Sequence, residues 1–160
     1  MAKSFELATS LSHLLRRAQQ FAMDLYDDET ETEALTARQL AVLYAVDQND
    51  GVTQTRLVAQ TGIDRSTLAD MIDRLVKREL ITRKRTDEDQ RANSVKVTAT
   101  GRRALKAAQP AMQRAEAALL ETLPARNRAE FVKSLNLLAQ AYAEKQAQEQ
   151  NGAKKRRARR

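Results

Sequence analysis

The sequence predicts a mainly α-helical chain with one small β-hairpin. Three observations carry this. The 160 residues are dominated by Ala, Leu, Gln, Glu and Arg, all strong helix formers, and hold only 4 Gly and 2 Pro. Apolar residues recur at spacings of three and four along most of the chain, the period of a helix face. One stretch, from Ile81 to Val97, changes to a strand-like pattern.

The elements follow in order. A first helix is predicted from about Phe5 to Tyr26, with Leu7, Leu11, Leu14, Ala18, Phe21 and Leu25 on one face. Asp27, Asp28, Glu29, Thr30 and Glu31 break that pattern and read as an exposed loop. Thr36 is placed to N-cap a second helix, with Gln39 as its capping-box partner. Leu40, Leu43, Tyr44 and Val46 supply its buried face, and Asn49-Asp50-Gly51 ends it with turn chemistry. Thr53 opens a short helix through Leu57 and Val58, closed at Gly62, where a left-handed residue is expected. Asp64 caps a further helix from Arg65 to about Glu79, with Leu68, Met71, Ile72, Leu75 and Val76 turned inward. Two helices joined at Thr61-Gly62-Ile63 form a helix-turn-helix pattern.

Ile81–Arg85 and Val95–Val97 read as strands, joined by the polar stretch from Thr86 to Ser94. A two-stranded hairpin is marginal alone, so it must pack on the preceding helices as a wing. Thr98-Ala99-Thr100-Gly101 starts a long helix to about Leu120, with Leu105, Ala108, Met112, Ala115 and Leu119 on one face. Pro124 interrupts the chain. A last helix, from about Arg126 to Lys145, uses Phe131, Leu135, Leu138 and Tyr142. No internal repeat is visible.

Charge is unevenly placed. The net charge is +7, but Lys154 to Arg160 alone carry six cations and no acid. Without them the chain holds 22 basic and 21 acidic groups, a net of +1. Such a tail attracts any polyanion and identifies none; a solubilising end and a phosphate-contacting end both fit it. The chain has no Cys, which excludes a disulfide framework, a Cys-zinc site and a thiol redox switch. No apolar run approaches the ~20 residues of a membrane span, and Met1 to Leu15 lack a signal-peptide core, so a cytoplasmic location is expected.

The segment Asp87 to Gly101 is similar to the wing of the MarR family of bacterial transcription regulators. Asp89-Gln90-Arg91 matches Asp-x-Arg, and Val95-Lys96-Val97-Thr98-Ala99-Thr100-Gly101 matches Val-x-Leu-Thr-x-x-Gly, with Val97 in place of Leu. The run Leu68 to Leu75 also resembles the family's recognition helix. Together with the helix order, the resemblance covers about residues 5 to 145. It implies a winged helix-turn-helix lobe at 36–100, a helical dimerisation region at 1–35 and 101–147, and a basic, disordered tail at 148–160. The first, fifth and sixth helices would interlock two chains. Ala-rich terminal helices agree with such close packing; a monomer with its own helical bundle is the alternative.

The implied function is a homodimeric, sequence-specific DNA-binding regulator, a repressor released by a small molecule. On the recognition helix, Arg65, Ser66, Thr67, Asp70, Arg74 and Lys77 are candidates for DNA contact. An α-helix fits the major groove and its N-terminal residues meet base edges. Arg65 suits guanine O6 and N7; Asp70 suits cytosine N4 or the orientation of a neighbouring Arg. Arg91, near the wing tip, suits a narrow minor groove, with Asp89 fixing its geometry. Lys84 and Arg85, and Gln54 and Thr55, are expected to meet phosphates, which position without specifying. The plainer reading of these charges is a solvated face with surface ion pairs. The partner would be a pseudo-palindromic duplex.

The resemblance also implies an effector between the dimer helices and the winged lobe, aromatic or anionic, an acyl-CoA thioester included. His13, Arg16, Arg17, Tyr26, Arg38 and Tyr44 are the candidate contacts; packing and surface ion pairs are the plainer reading of each. An enzyme is not expected. The single His, the missing Cys and the lack of a zinc-protease, phosphate-loop or nucleophile-elbow motif leave no catalytic residues, metal ligands or cofactor site. A nonspecific, nucleoid-type DNA binder is the alternative that the basic tail favours. A winged helix devoted to protein interaction is a further one.

Overall fold

The computed structural model describes the backbone of residues 6–31, 35–85 and 93–158, and the side chains of 6–31, 35–83 and 94–149. Helix α1 (Leu11–Asp28) follows a short 3-10 turn at Leu7–Thr9. Helix α2 is Ala37–Asp47, strand β1 Val52–Thr53, helix α3 Gln54–Thr61 and helix α4 Arg65–Lys77. Strands β2 (Ile81–Arg85) and β3 (Asn93–Val97) precede helices α5 (Ala99–Glu121) and α6 (Ala125–Ala158). The fold is therefore mainly helical, with one three-stranded antiparallel sheet in the order β1-β3-β2.

Local chemistry sets most boundaries. Thr36 and Gln39 form the expected capping box at the start of α2. Thr53 caps α3 and Asp64 caps α4 through their side-chain oxygens. Gly62 closes α3 at φ 67°, the left-handed conformation that a side chain resists. Helix α4 ends at Lys77; Glu79 then takes φ 56° and turns the chain into β2.

Several elements differ from the sequence reading, α4 ending at Lys77 and β3 starting at Asn93 among them. Residues 6–10 precede α1, which starts after Ser10. Asp27 and Asp28 are helical rather than loop, because Tyr26 beside them is buried and anchors the last turn. Strand β1 is an additional element: Val52 pairs with Val95 and Thr53 with Ser94. Helix α6 continues to Ala158, beyond the expected end at Lys145. Its Ala, Gln, Glu, Lys and Arg content favours helix throughout.

The hairpin register sets Ile81 against Val97 and Arg85 against Asn93. Ile81, Val95 and Val97 are buried against Leu40, Leu43, Leu57, Leu68, Ile72 and Leu75. The core thus occupies the lobe from α2 to β3 and extends to Leu105, Ala111 and Ala115 of α5. Tyr44 and Val76 are half-buried against it, and Val42 adds a buried position on α2.

Helices α1 and α6 contrast with this lobe. Tyr26 is the only α1 residue in the buried core, and none comes from the described part of α6. Leu11, Leu14, Leu15 and Phe21 of α1 are exposed, as are Val132, Leu135, Leu137, Leu138 and Tyr142 of α6. The expected apolar faces exist, and apart from Leu25 against the core and Tyr142 beside Gly62 they are largely uncovered by the described residues. No helix among the described residues is long and apolar enough to cross a membrane.

Candidate nucleic-acid interface

The chain presents the N-terminal end of α4 at its surface. Leu68, Ile72 and Leu75 bury one face of this helix, which fixes its rotation. Arg65, Ser66, Asp70, Arg74 and Lys77 are consequently exposed together, while Thr67 is half-buried. The Arg65 guanidinium donates to Thr55 Oγ1 of α3 at 3.4 Å, tying the two helices of the motif at their leading edges. Gln54, also at the start of α3, is half-buried beside it.

Asp64 organises this end. Its carboxylate accepts from the Thr67 backbone N–H at 3.0 Å and from Ser66 Oγ at 2.7 Å. The Thr67 backbone bond, then hydrogen bonds from the Thr67 and Ser66 side chains, hold its carboxyl far below the ordinary value of 3.8. A depressed carboxyl stabilises the folded state above its unfolded pKa, and that contribution is lost as pH falls toward the folded value. The stability difference between wild type and Asp64→Asn is therefore expected to be constant above about pH 4 and to change only below it. Urea unfolding at a series of pH values checks this; a difference that changes between pH 5 and 7 would contradict it.

The wing is tied to α4. Arg83 on β2 donates to Asp73 of α4 at 2.6 Å, linking the hairpin to that helix at the surface. Asp73 is exposed, as expected, but engaged with the wing. The backbone of Lys84 and Arg85 lies in β2, paired with Ser94 and Asn93. Asp89 and Arg91 lie outside the described residues.

Behind α4 is a cavity of about 520 Å³. Its walls are Gln19, Ala22, Met23 and Tyr26 of α1, Ala37, Arg38 and Ala41 of α2, and Met112, Ala115, Glu116 and Leu119 of α5. Its floor is the turn from Thr61 to Asp64, together with Thr67. One side chain, Thr67, therefore belongs to both α4 and the cavity lining. Of the six effector candidates, Tyr26 and Arg38 line the cavity. His13, Arg16 and Arg17 lie earlier on α1, outside the cavity of a single chain, and Tyr44 packs against the core.

The Tyr26 phenol is buried, and its oxygen has no hydrogen-bond partner among the described residues. Burial, then the nearby Asp27 and Tyr44, raise its pKa, so it stays a neutral donor. Tyr26 also borders a second cavity of similar volume between the end of α1 and α5, beside the ion pair of Arg114 and Glu29. A buried hydroxyl without a partner is costly, which marks this position for a ligand or a water.

Sequence reasoning missed most of the cavity lining. Gln19, Ala22, Met23 and Tyr26 are spaced i, i+3, i+4, i+7, and Met112, Ala115, Glu116 and Leu119 repeat that spacing. The α1 set is a second stripe, offset from that helix's strongest apolar face, whereas Met112, Ala115 and Leu119 belong to the face expected for α5; pairing the two sets was the available signal. No group of three or more His, Cys, Asp or Glu placed to hold a metal ion occurs among the described residues.

Residues 35–92 match the model of the MarR family. The HTH-type transcriptional repressor NicR of Pseudomonas putida is 27% identical over 97 residues, which is 61% of this chain and 61% of NicR. The chain spans about three fifths of the length of such curated relatives. The PcaV transcriptional regulator of Streptomyces coelicolor, solved with its natural ligand, superimposes with a TM-score of 0.77 at 32% identity, over 88% of this chain and 99% of PcaV. The transcriptional repressor CouR, solved on a 23-mer DNA duplex, gives 0.74 at 31% identity, over 87% of this chain and 99% of CouR.

Proposed function

We infer that this chain, which belongs to the MarR family, acts as a homodimeric repressor that reads duplex DNA and is released by a small aromatic or anionic effector. The observation that carries the reading is the exposed N-terminal end of α4, with Arg65 locked to Thr55 and a wing strand tied to the same helix through Asp73. A helix presented in this way enters the major groove with its first turn against base edges. CouR, of similar fold, is known on a DNA duplex, and NicR and CouR are both named repressors.

Arg65 is assigned to a guanine edge, with Ser66, Thr67 and Asp70 beside it. Arg74, Lys77, Lys84, Arg85, Gln54 and Thr55 meet the backbone, and Arg91, oriented by Asp89, enters the minor groove. Dimerisation follows from the uncovered apolar faces of α1 and α6, which a second copy would bury. Two lobes related by a twofold axis then meet half-sites about one helical turn, ~34–36 Å, apart.

The effector site is the cavity behind α4. Its volume suits a small ligand. The Tyr26 hydroxyl offers a buried donor and Arg38 a cation for a carboxylate. PcaV, the neighbour solved with its natural ligand, supports ligand control of this fold. Because the cavity floor leads directly into Asp64 and Thr67, a ligand that favours one position of α4 shifts the DNA-competent population. It does so only by its difference in affinity for the two states.

The test is the base preference of Arg65→Ala, measured over all single-base variants of a selected site. One position is expected to lose its preference, by ~1–3 kcal/mol or roughly 5- to 150-fold. A uniform loss at every position would make Arg65 a phosphate contact.

A further inference from the structure

The basic end of the chain is a continuation of α6 rather than a separate element, and where α6 passes the lobe gives that end a partner. Helix α5 rises from the sheet, and α6 returns from the Thr122–Pro124 corner to reach α3. The contact falls at the turn of the helix-turn-helix: a Cβ built on Gly62 would lie 3.8 Å from Tyr142 Cε1. From Tyr142 the helical backbone runs on to Ala158. At 1.5 Å per residue, Lys154 to Arg157 lie ~18–23 Å along the helix from that contact. Gly62 itself is three residues ahead of Arg65, at the end of α4 assigned to the groove.

The charge pattern of this extension gives it no partner of its own. Residues 150–160 contain no acid. The positions three and four residues before Lys154, Lys155 and Arg156 are Gln, Asn, Gly or Ala, so none has an acidic neighbour on its helix face. Lys154 and Arg157, three apart, repel each other. The rest of the chain is almost neutral and exerts little long-range attraction on a polyanion.

We propose that the basic end of the chain, Lys154–Arg160, which α6 carries, is a second DNA-contacting element, which neutralises phosphates flanking the sequence read by α4 and lengthens the bound site. The inference rests on the DNA-binding reading above. It assigns to this segment a further share of the salt-dependent, sequence-independent affinity, beyond the phosphate contacts of the lobe.

The experiment compares the full chain with the variant K154Q/K155Q/R156Q/R157Q. Binding is measured against salt on a selected site in a duplex of ~40 base pairs, about four helical turns, and on one trimmed to ~20. Each lost phosphate contact removes ~0.9 from the slope of log K against log salt, so the variant's slope on the long duplex is expected to be shallower by ~3–4 for each tail, or ~7 for the dimer. Its hydroxyl-radical footprint is expected to lose the flanks, and the two proteins are expected to converge on the trimmed duplex. The charge-preserving variant K154R/K155R/R156K/R157K is expected to behave as wild type, since phosphates need only a cation. Equal slopes and footprints for wild type and Gln variant, with the wild type still selective for its site, would overturn the proposal alone. Loss of selectivity by the wild type would overturn the DNA reading and this inference with it. Equal DNA slopes, together with wild-type binding to phosphatidylglycerol vesicles that the Gln variant loses, would overturn it in favour of a lipid surface.

Discussion

Gly101→Ala is expected to cost about 3 kcal/mol or more of folding stability, more than the same change at Gly51 or Gly62. Gly101 is the third residue of α5, and its N–H donates to the capping Thr98 hydroxyl at 2.9 Å. A Cβ there would lie 2.1 Å from the Leu80 carbonyl oxygen and 2.8 Å from Val97 Cγ1. The Leu80 oxygen cannot retreat freely, because it accepts from the Thr98 N–H at 3.0 Å and from the Thr98 hydroxyl at 3.2 Å. Helix propensity argues the other way: Ala is better than Gly in a helix by ~1 kcal/mol. The clash with backbone outweighs it. Gly62→Ala is the control. Its left-handed φ of 67° makes a side chain strained, yet its Cβ would meet only Tyr142, at 3.8 Å. That strain costs roughly 1–2 kcal/mol. Urea midpoints should therefore rank wild type, Gly62→Ala, then Gly101→Ala by a wide margin; equal midpoints for the two variants would contradict the packing described for the base of α5.

Leu14→Asp combined with Leu138→Asp is expected to leave the lobe folded and to abolish tight DNA binding. Leu14 is 45% exposed and Leu138 54% exposed in the single chain. On a free surface such changes alter stability by only ~0.5 kcal/mol in either direction. At a dimer seam, each places a carboxylate in an apolar contact without a partner, which is costly. Sedimentation should then report the 18.0 kDa monomer. Losing the second half-site removes the gain from tethered binding, so affinity for a two-half-site duplex should fall ~10²- to 10⁴-fold. A wild-type chain that sediments as a monomer, or a variant that keeps full affinity, would contradict the paired arrangement.

Local rules made most of the lobe legible. Thr36 with Gln39, Gly62, and Asp64 before Arg65 each fix a helix end through two or three neighbouring residues, and a sequence displays such chemistry directly. The β2–β3 hairpin was visible through its change of period and its charged loop. Strand β1 was not, because Val52 and Thr53 are too short to make a pattern and are strand only by pairing with Val95 and Ser94. The end of α1 was misplaced because Asp27 and Asp28 oppose the helix dipole, while the burial of Tyr26 outweighs that cost.

The site divides along the same line. The outward set on α4 followed from its buried set, since one helical face implies the other. The cavity required three helices to meet, so only Tyr26 and Arg38 of six candidates line it. The apolar faces of α1 and α6 were read as faces, and most of their large apolar residues are exposed in the single chain. Periodicity shows that such a face exists and does not show what covers it.

The most direct test of the central claim is fluorescence-anisotropy binding of the purified full chain to the DNA upstream of its own gene and to the best duplex from in vitro selection. Random-sequence DNA serves as competitor at ~150 mM salt, where phosphate attraction alone is weak. The account predicts tight binding to a duplex with two half-sites about one turn apart, which the competitor does not displace. Binding that random DNA removes from every duplex tested would contradict a sequence-reading regulator and leave only charge-driven association.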